Sequence, residues 1–318
     1  MRYAGLHRHL QSSYNANQHA FGVVGHMHVN DLFESLKFQH GPSMKNRLML
    51  APLTNCQSHD DGTLSDDEFH WLTLRAKGGF GLTMTCAAHV QARGRGFPGQ
   101  LGIFSDAHVT GLSRLAAAIK QEDSVAIAQL HHAGMRAPTA LIGTTPVCPS
   151  DNAETGARAL SESEVEQLID DFVAGAKRAE RAGFDGVEIH GAHGYVLCQF
   201  LSAEINRRTD RYGGSAENRA RIIFEIVDRV RKHCRPDFMV GLRLSPERFG
   251  LKLDEIRSVA RRALEEASID FLDLSLWNVF KEPEEADRRG RSLLSYFTEL
   301  ERGAVRLGAA GKIHGAAD

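Results

Sequence analysis

Two histidines and a tyrosine near the end of one short apolar run carry groups from which a reaction could be built. The run at residues 186–190 ends at His190, and His193 and Tyr195 follow it in the next few residues. Imidazole N–H groups can bind a negatively charged oxygen, and a phenol with a pKa near ~10 stays protonated at neutral pH and can act as an acid. These side chains predict a site that stabilises negative charge and donates a proton. The alternative, that they satisfy backbone groups of a polar loop, explains the three together less well.

Other apolar runs end next to polar side chains that support the same chemistry. The runs lie at residues 47–52, 81–85, 125–130, 238–244 and 269–275. At their ends stand a hydroxyl at Thr54, an amide at Gln129 and a guanidinium at Arg243. Carboxylates are scarce there, because Glu188 and Asp273 lie inside the runs. A set of side chains with many hydrogen-bond donors and few bases suits the stabilisation of negative charge rather than the removal of protons from carbon.

A metal site is an alternative use of the histidines. His190 and His193 form an HxxH pair, and His131 and His132 end another run. Histidine is the commonest metal ligand, but no carboxylate or thiolate accompanies this cluster. The sequence therefore favours a site without a metal. For His132, a structural role is as good an explanation as a functional one.

The apolar runs also predict the fold that would position these residues. Each run is as long as a strand and almost continuously apolar, as expected for strands buried on both faces of a parallel sheet. Helical patterns lie between the runs at 161–182, 215–233 and 253–267, and the first opens with a capping box of Ser161 and Glu164. This alternation predicts an α/β fold, a TIM (β/α)8 barrel with its active site at the C-terminal strand ends. A doubly wound sheet is disfavoured, because no strand leads into a GxGxxG loop.

The regular pattern also defines the domain organisation. No linker or shift in composition interrupts it, so residues 27–318 are predicted to form one domain. Residues 1–26 are polar and rich in histidine, without helix or strand periodicity. They are predicted to be an extension that is disordered or was added to the natural chain. A short ordered arm across the base of the fold is the alternative.

Composition limits the classes of partner and compartment. The 318-residue chain is 42% hydrophobic, and its 38 basic and 40 acidic residues give a net charge of -2. This balance favours a small-molecule substrate over nucleic acid, and no apolar run has the length of a membrane span. The five cysteines are scattered and never spaced as CxxC, which argues against disulfides, iron–sulfur clusters and structural zinc. We expect a soluble, cytoplasmic protein.

Five motifs make the chain, from Met27 to its C-terminus, similar to one known family. They are NRLMLAPLT at 46–54, AKGGFGLTMTCA at 76–87, QLHHAGMR at 129–136, FDGVEIHGAHGYVLCQFLSAEINRRTDRYGG at 184–214 and SAENRARI at 215–222. The chain resembles the old yellow enzyme family of FMN-dependent NADH:flavin oxidoreductases and ene-reductases. The resemblance implies a TIM barrel that holds FMN and transfers hydride from NADPH or NADH to an activated alkene, such as an enone, or to a quinone. The alternative is a truncated or degenerate barrel that does not retain FMN and has a binding or scaffold role.

The resemblance also implies which residues hold the flavin. Thr54 would hydrogen-bond the flavin O4, and Gln129 would meet the pyrimidine edge through its amide. Arg243 would lie beside N1 and O2, where a fixed cation stabilises the reduced ring. Backbone contacts to the flavin would come from Pro52, Leu53 and Ala87.

The resemblance implies the substrate site in the same way. His190 and His193 match the pair that binds the substrate carbonyl oxygen as charge develops on it. Tyr195 matches the group that donates a proton to the α-carbon. Cys56 stands where one branch of the family carries an aromatic residue near the substrate. A small residue at this position implies a more open pocket.

The predicted strands do not complete a barrel within the chain. Six strands are accounted for by residue 275, and residues 310–314 look like the start of a seventh before the sequence stops at Asp318. A closed barrel needs roughly 50 more residues, including the loops after strands seven and eight that build the phosphate site. If Asp318 is the C-terminus, we expect the last one or two βα units to be missing and FMN to bind weakly or not at all. The exposed sheet edges would then favour a partner chain or a homo-oligomer.

Overall fold

The computed structural model describes residues 29–266 and 268–314, and the predicted extension at 1–26 lies outside them. The strands are β1 (Met49–Leu50), β2 (Leu82–Met84), β3 (Ala88–His89), β4 (Val125–His131), β5 (Val147–Cys148), β6 (Arg158–Ala159), β7 (Gly186–Gly191), β8 (Met239–Leu244), β9 (Phe271–Ser275) and β10 (Arg306–Ala310). The α-helices are α1 (Asp66–Lys77), α2 (Val109–Gln121), α3 (Thr139–Ile142), α4 (Glu162–Arg181), α5 (Val196–Leu201), α6 (Ala216–His233), α7 (Leu253–Glu265) and α8 (Ser295–Thr298). Short 3-10 helices cover Val29–Phe33, Ala92–Gly94, Asp106–His108, Gly134–Arg136 and Ala286–Arg288.

The main sheet is parallel throughout, as the buried apolar runs predicted. Its strands pair in the order β1-β2-β4-β7-β8-β9-β10, with β3 beside β4, and β5 and β6 form a separate pair. Helices alternate with these strands, so the prediction of an α/β barrel architecture is confirmed in its strand direction and order. Among the described residues, β1 and β10 are the two edges of the curled sheet and do not pair with each other.

The seventh strand of this order is not where the sequence predicted it. It was expected to begin within residues 310–314, but β10 ends at Ala310 and pairs along its whole length with β9. The sequence RLGAA begins with a charged residue, ends in glycine and alanine, and is half-buried throughout, so it lacks the continuous apolar run that marks the other strands. Ile313, which lies within the expected segment, is largely exposed.

The helices begin and end as local sequence signals require. At the start of α4 the Ser161 side chain accepts from the Glu164 N–H while the Glu164 side chain accepts from the Ser161 N–H, so the predicted capping box is confirmed. After α4 the chain turns at Gly183, whose φ of +88° suits glycine. Ser215 caps α6 by accepting from the Asn218 N–H. No helix within 29–266 and 268–314 has the length and apolar character needed to cross a bilayer.

The parallel register places the polar residues of neighbouring strands side by side. Gln129 on β4 pairs with Glu188 on β7. His190, two residues further along β7, pairs with Arg243 on β8, and Arg243 pairs in turn with Asp273 on β9. Because alternate residues of a strand share one face, these side chains form a layer across one end of the sheet.

A buried carboxylate ties β8 to β9 at the opposite end of the sheet. The Asp270 side chain is fully buried and accepts from the Val240 N–H at 2.8 Å. It also accepts from Arg231 Nη2 at 2.6 Å and from the His40 N–H at 3.0 Å. A buried charge with several donors is stabilising only while those donors are present, because removal of a partner leaves the remaining groups without compensation.

We expect Asp270→Ala to lower the free energy of unfolding by about 3–5 kcal/mol, since it leaves the charge of Arg231 without its carboxylate and the Val240 N–H without an acceptor. Asp237→Ala is the matched control, because Asp237 pairs with Arg235 at 3.0 Å but is 70% exposed. The control should cost less than about 1 kcal/mol. Urea denaturation measures both variants, and equal losses would show that Asp270 does not hold the strands together.

Candidate active site

One pocket at the C-terminal ends of the strands gathers side chains from segments far apart in the sequence. It contains about 400 Å³ of space not filled by atoms, part of it open to solvent. Its lining consists of Pro52, Leu53, Thr54, Ala87, Gln129, His190, His193, Tyr195 and Arg243. These are all of the residues to which the sequence assigned a catalytic or cofactor-binding role. The structure thus brings the predicted set together.

Cys56, predicted to lie near the substrate, is the exception. It does not line this pocket, and its side chain is exposed. The backbone turns at Cys56 with φ of 56°, a conformation that residues other than glycine rarely adopt. The Cys56 carbonyl packs closely against Gly99, which lies in a loop further along the chain. Nothing in the residue type signals this turn.

His190 and His193 form a hydrogen-bonded pair of neutral imidazoles. His190 Nε2 lies 3.1 Å from His193 Nδ1, and the Ala192 N–H donates to His190 Nδ1 at 3.3 Å. Burial holds the pKa of His190 well below its usual range, and the neighbouring His193 adds to the effect. Burial and then the Arg243 guanidinium lower the pKa of His193 to about 4. Both rings are therefore uncharged at neutral pH and offer N–H groups rather than cations.

Two side chains hold the backbone of the loop that carries His193. The His193 N–H donates to Ser245 Oγ at 3.0 Å, and Arg136 Nη1 donates to the His193 carbonyl at 2.6 Å. His193 has φ of 61° and is followed by Gly194 with φ of 69°, so the chain makes two left-handed steps in succession. Such strain at a non-glycine residue persists only where surrounding contacts fix it.

Tyr195 presents its phenol to the pocket. Its ring packs edge-on against His131, with ring centres 4.3 Å apart, and against His190 at 5.2 Å. The Arg136 guanidinium lies 5.1 Å from the ring centre. Its O–H makes no hydrogen bond to any residue within 29–266 and 268–314, while the ring lines the pocket. The packed ring therefore holds an O–H that is available to a ligand.

His131 and His132 join their own loop to the segment that carries Gln91 and Gln100. Gln100 Nε2 lies 3.0 Å from His131 Nδ1, and His132 Nε2 lies 3.1 Å from Gln91 Oε1. The Gly134 N–H donates to His132 Nδ1 at 3.0 Å. Across the described part of the chain, no three or more His, Cys, Asp or Glu side chains are grouped as a metal site would require. The contacts support the structural reading of His132.

Two buried carboxylates lie beneath the pocket, and their proximity to it was not expected from the sequence. Gln129 Nε2 donates to Glu188 Oε1 at 2.7 Å. Arg243 Nε lies 3.0 Å from Asp273 Oδ2, but its N–H is not directed at the oxygen, so the contact is an attraction between charges. Burial raises the pKa of Glu188 to about 8, and the nearby Asp273 adds to the rise. Burial also raises the pKa of Asp273, against the opposing effect of Arg243.

The spacing of these two acids along their strands indicates that they lie near the pocket. Glu188 is two residues before His190 on one strand, and Asp273 is two residues before Ser275 on another. Side chains at that spacing share a face, so each acid belongs to the layer below a residue at the strand end. Their ionisation affects the charge felt by Gln129 and Arg243, which line the pocket.

Glu188→Gln should change how stability depends on pH. Because the pKa of Glu188 is raised from 4.5 to about 8 on folding, the folded protein binds more protons than the unfolded chain between these values, and stability falls as pH rises through this window. The amide does not titrate, so the part of this fall that Glu188 causes should disappear, while Asp273, whose pKa is also raised by burial, still titrates. Urea denaturation at pH 5 and pH 8 should show the parent losing about 1 kcal/mol or more relative to the variant. Parallel pH profiles would contradict the assignment, and exposed Glu301→Gln controls for the replacement itself.

Residues 31–298 match the model of the NADH:flavin oxidoreductase / NADH oxidase family. The chain is 40% identical over 298 residues to "Probable NADH-dependent flavin oxidoreductase YqiG" of Bacillus subtilis (strain 168), covering 90% of this chain and 80% of the relative. It is 38% identical over 258 residues to the NADH:fumarate oxidoreductase of Klebsiella pneumoniae (strain 342), covering 77% of this chain and only 28% of that longer relative.

A solved structure agrees with the sequence comparisons. The old yellow enzyme homologue from Zymomonas mobilis superposes with a TM-score of 0.78 at 28% identity, over 89% of this chain and 83% of that chain. Curated relatives include NADPH dehydrogenases as well as NADH-dependent enzymes. The family depends on FMN and on a reduced nicotinamide. The chain belongs to the NADH:flavin oxidoreductase / NADH oxidase family, the old yellow enzyme family of FMN-dependent oxidoreductases.

Proposed function

We propose that the pocket holds the flavin ring of FMN and that the protein reduces activated alkenes, with quinones as a second class of acceptor. The observation that carries this proposal is the convergence in one pocket of an amide, a guanidinium, a hydroxyl, two neutral imidazoles and a phenol. Hydrogen-bond donors predominate among these groups. A site in which negative charge develops on an oxygen requires such donors.

The residues at the base of the pocket fit the flavin ring. Gln129 donates its amide N–H to Glu188, which leaves its Oε1 as an acceptor for the imide N–H of a flavin. The terminal nitrogens of Arg243 make no hydrogen bond to a described residue, and they can donate to the adjacent ring nitrogen and carbonyl. Thr54 adds an exposed hydroxyl. Pro52, Leu53 and Ala87 are assigned to backbone contacts with the ring.

The remaining residues of the pocket, His190, His193 and Tyr195, are assigned to the substrate. FMN, when bound, supplies the hydride that it has received from NADH or NADPH. His190 and His193 bind the carbonyl oxygen of an enone through N–H groups, which become stronger as negative charge grows on that oxygen. Tyr195 donates its phenolic proton to the α-carbon. No residue needs to remove a proton from carbon, which accords with the absence of an exposed carboxylate in the pocket lining.

The function is tested by anaerobic turnover of the FMN-loaded protein with 2-cyclohexenone. NADH or NADPH should bleach the flavin absorbance, and addition of the enone should restore it with formation of cyclohexanone. A protein that is bleached but not reoxidised by enones or quinones would contradict the proposed acceptor class. A protein that carries FMN but is not bleached by either nicotinamide would contradict the hydride donor.

Replacement of either histidine of the pair should weaken the binding of phenols, whose ionised oxygen mimics the charged carbonyl oxygen. We expect His190→Ala and His193→Ala each to reduce the affinity for 4-nitrophenol by ~10-fold or more, in the range for a hydrogen bond to a charged group. Flavin reduction by the nicotinamide should be affected less. Calorimetric titration measures the affinity, and His70→Ala, on the exposed surface of α1, is the control. If both variants bind the phenol as well as the parent, the oxygen-binding assignment is wrong.

Tyr195→Phe should separate the two classes of acceptor. Loss of the proton donor should slow enone reduction by roughly 10²-fold or more, the usual range for a general acid. Quinone reduction needs no proton on carbon and should continue. Stopped-flow reoxidation of the reduced protein measures both rates, with Tyr296→Phe as a control because the Tyr296 hydroxyl donates to the Arg288 carbonyl, away from the pocket lining. Equal slowing of both acceptors would instead indicate that the ring of Tyr195 acts through packing.

A further inference from the structure

A chain of hydrogen bonds runs through both histidines to a serine. The Ala192 N–H donates to His190 Nδ1 at 3.3 Å, so the proton of this neutral ring lies on Nε2. His190 Nε2 then donates to His193 Nδ1 at 3.1 Å. The proton of His193 consequently lies on its Nε2, which donates to Ser275 Oγ at 2.6 Å. One backbone N–H thus determines the tautomer of both rings and makes Ser275 the final acceptor.

The two nitrogens of His193 face different spaces. His193 lines the active-site pocket together with His190, and it also lines a second cavity that contains Ser245 and Ser275. Ser275 does not line the active-site pocket. His193 Nδ1, beside His190, therefore belongs to the active site, whereas its Nε2 contacts Ser275 on the far side of the ring.

The resting tautomer is the wrong one for binding an anion. His193 Nδ1 carries a lone pair in this state, and a lone pair repels a negatively charged oxygen in the pocket. Protonation of the whole ring is disfavoured, because burial and the Arg243 guanidinium lower the pKa of His193 to about 4. A neutral ring can donate from Nδ1 only if its Nε2 becomes an acceptor, and a serine hydroxyl can supply the hydrogen bond in that direction as well.

We propose that Ser275 is a positioning residue that reverses the tautomer of His193 when an oxyanion occupies the pocket. The inference rests on the proposed function, because it concerns the same oxygen-binding pair. At rest Ser275 accepts from Nε2–H. With an anion bound, its hydroxyl rotates and donates to Nε2, and Nδ1–H donates to the anion. One proton leaves Nε2 to solvent and one is taken up at Nδ1, so the ring stays neutral and the proton count is unchanged.

The test combines three serine variants with histidine NMR. Long-range ¹H–¹⁵N spectra of histidine-labelled, FMN-loaded protein distinguish Nδ1–H from Nε2–H tautomers, and 4-nitrophenolate is the probe. Ser275→Ala removes the reversible hydroxyl, whereas Ser275→Thr retains it. Ser245→Ala is the matched control, because Ser245 accepts from the backbone N–H of His193 and not from its ring.

The expected result is a change of His193 from Nε2–H to Nδ1–H when the phenolate binds to the parent, to Ser275→Thr and to Ser245→Ala. Ser275→Ala should keep the Nε2–H form and bind the phenolate at least ~10-fold more weakly. An Nδ1–H form in the resting parent, the absence of a change on binding, or an unaltered change in Ser275→Ala would each overturn the proposal. Failure of the parent to bind the phenolate would contradict the proposed function itself, which is a different outcome.

Discussion

The site depends on the parallel register of four neighbouring strands. Pairing of β4 with β7 sets Gln129 beside Glu188, and pairing of β7, β8 and β9 sets His190 beside Arg243 and Arg243 beside Asp273. A shift of one residue in any pair would turn its side chains to the opposite face of the sheet. The continuous apolar faces of these strands and the helices packed on them make such a shift costly, so the core that stabilises the fold also fixes the distances within the pocket.

Burial then determines the charge states of the polar side chains on these strands. One guanidinium lies near two carboxylates and two imidazoles, all of them largely buried. The shared consequence is neutralisation: the pKa of Glu188 rises to about 8, and that of His193 falls to about 4. Arg243 remains the fixed positive charge of the pocket, while the histidines act as uncharged donors whose direction is set by hydrogen bonds. This arrangement suits the transient stabilisation of a negatively charged oxygen, because both imidazoles are neutral and fixed in place before the charge appears.

Much of the fold could be predicted because its signals are local. The capping box at Ser161 and the long apolar runs lie within single segments, and they define helices and strands directly. The residues of the pocket could be predicted because they stand near the ends of those runs and, except for Arg243, within family motifs. The sequence does not reveal the position of β10, because RLGAA has no continuous apolar pattern and the strand is defined by its pairing with β9. The contact between His193 and Ser275 could not be predicted either, because it joins residues far apart in sequence through a single hydroxyl.

Titration with FMN is the measurement that shows whether this pocket is a flavin site. Binding to the pocket should change flavin fluorescence in a saturable manner with one FMN per chain, and Gln129→Leu should weaken the affinity by removing the acceptor for the imide N–H. Fluorescence that does not saturate, or equal affinities for the parent and Gln129→Leu, would contradict the account.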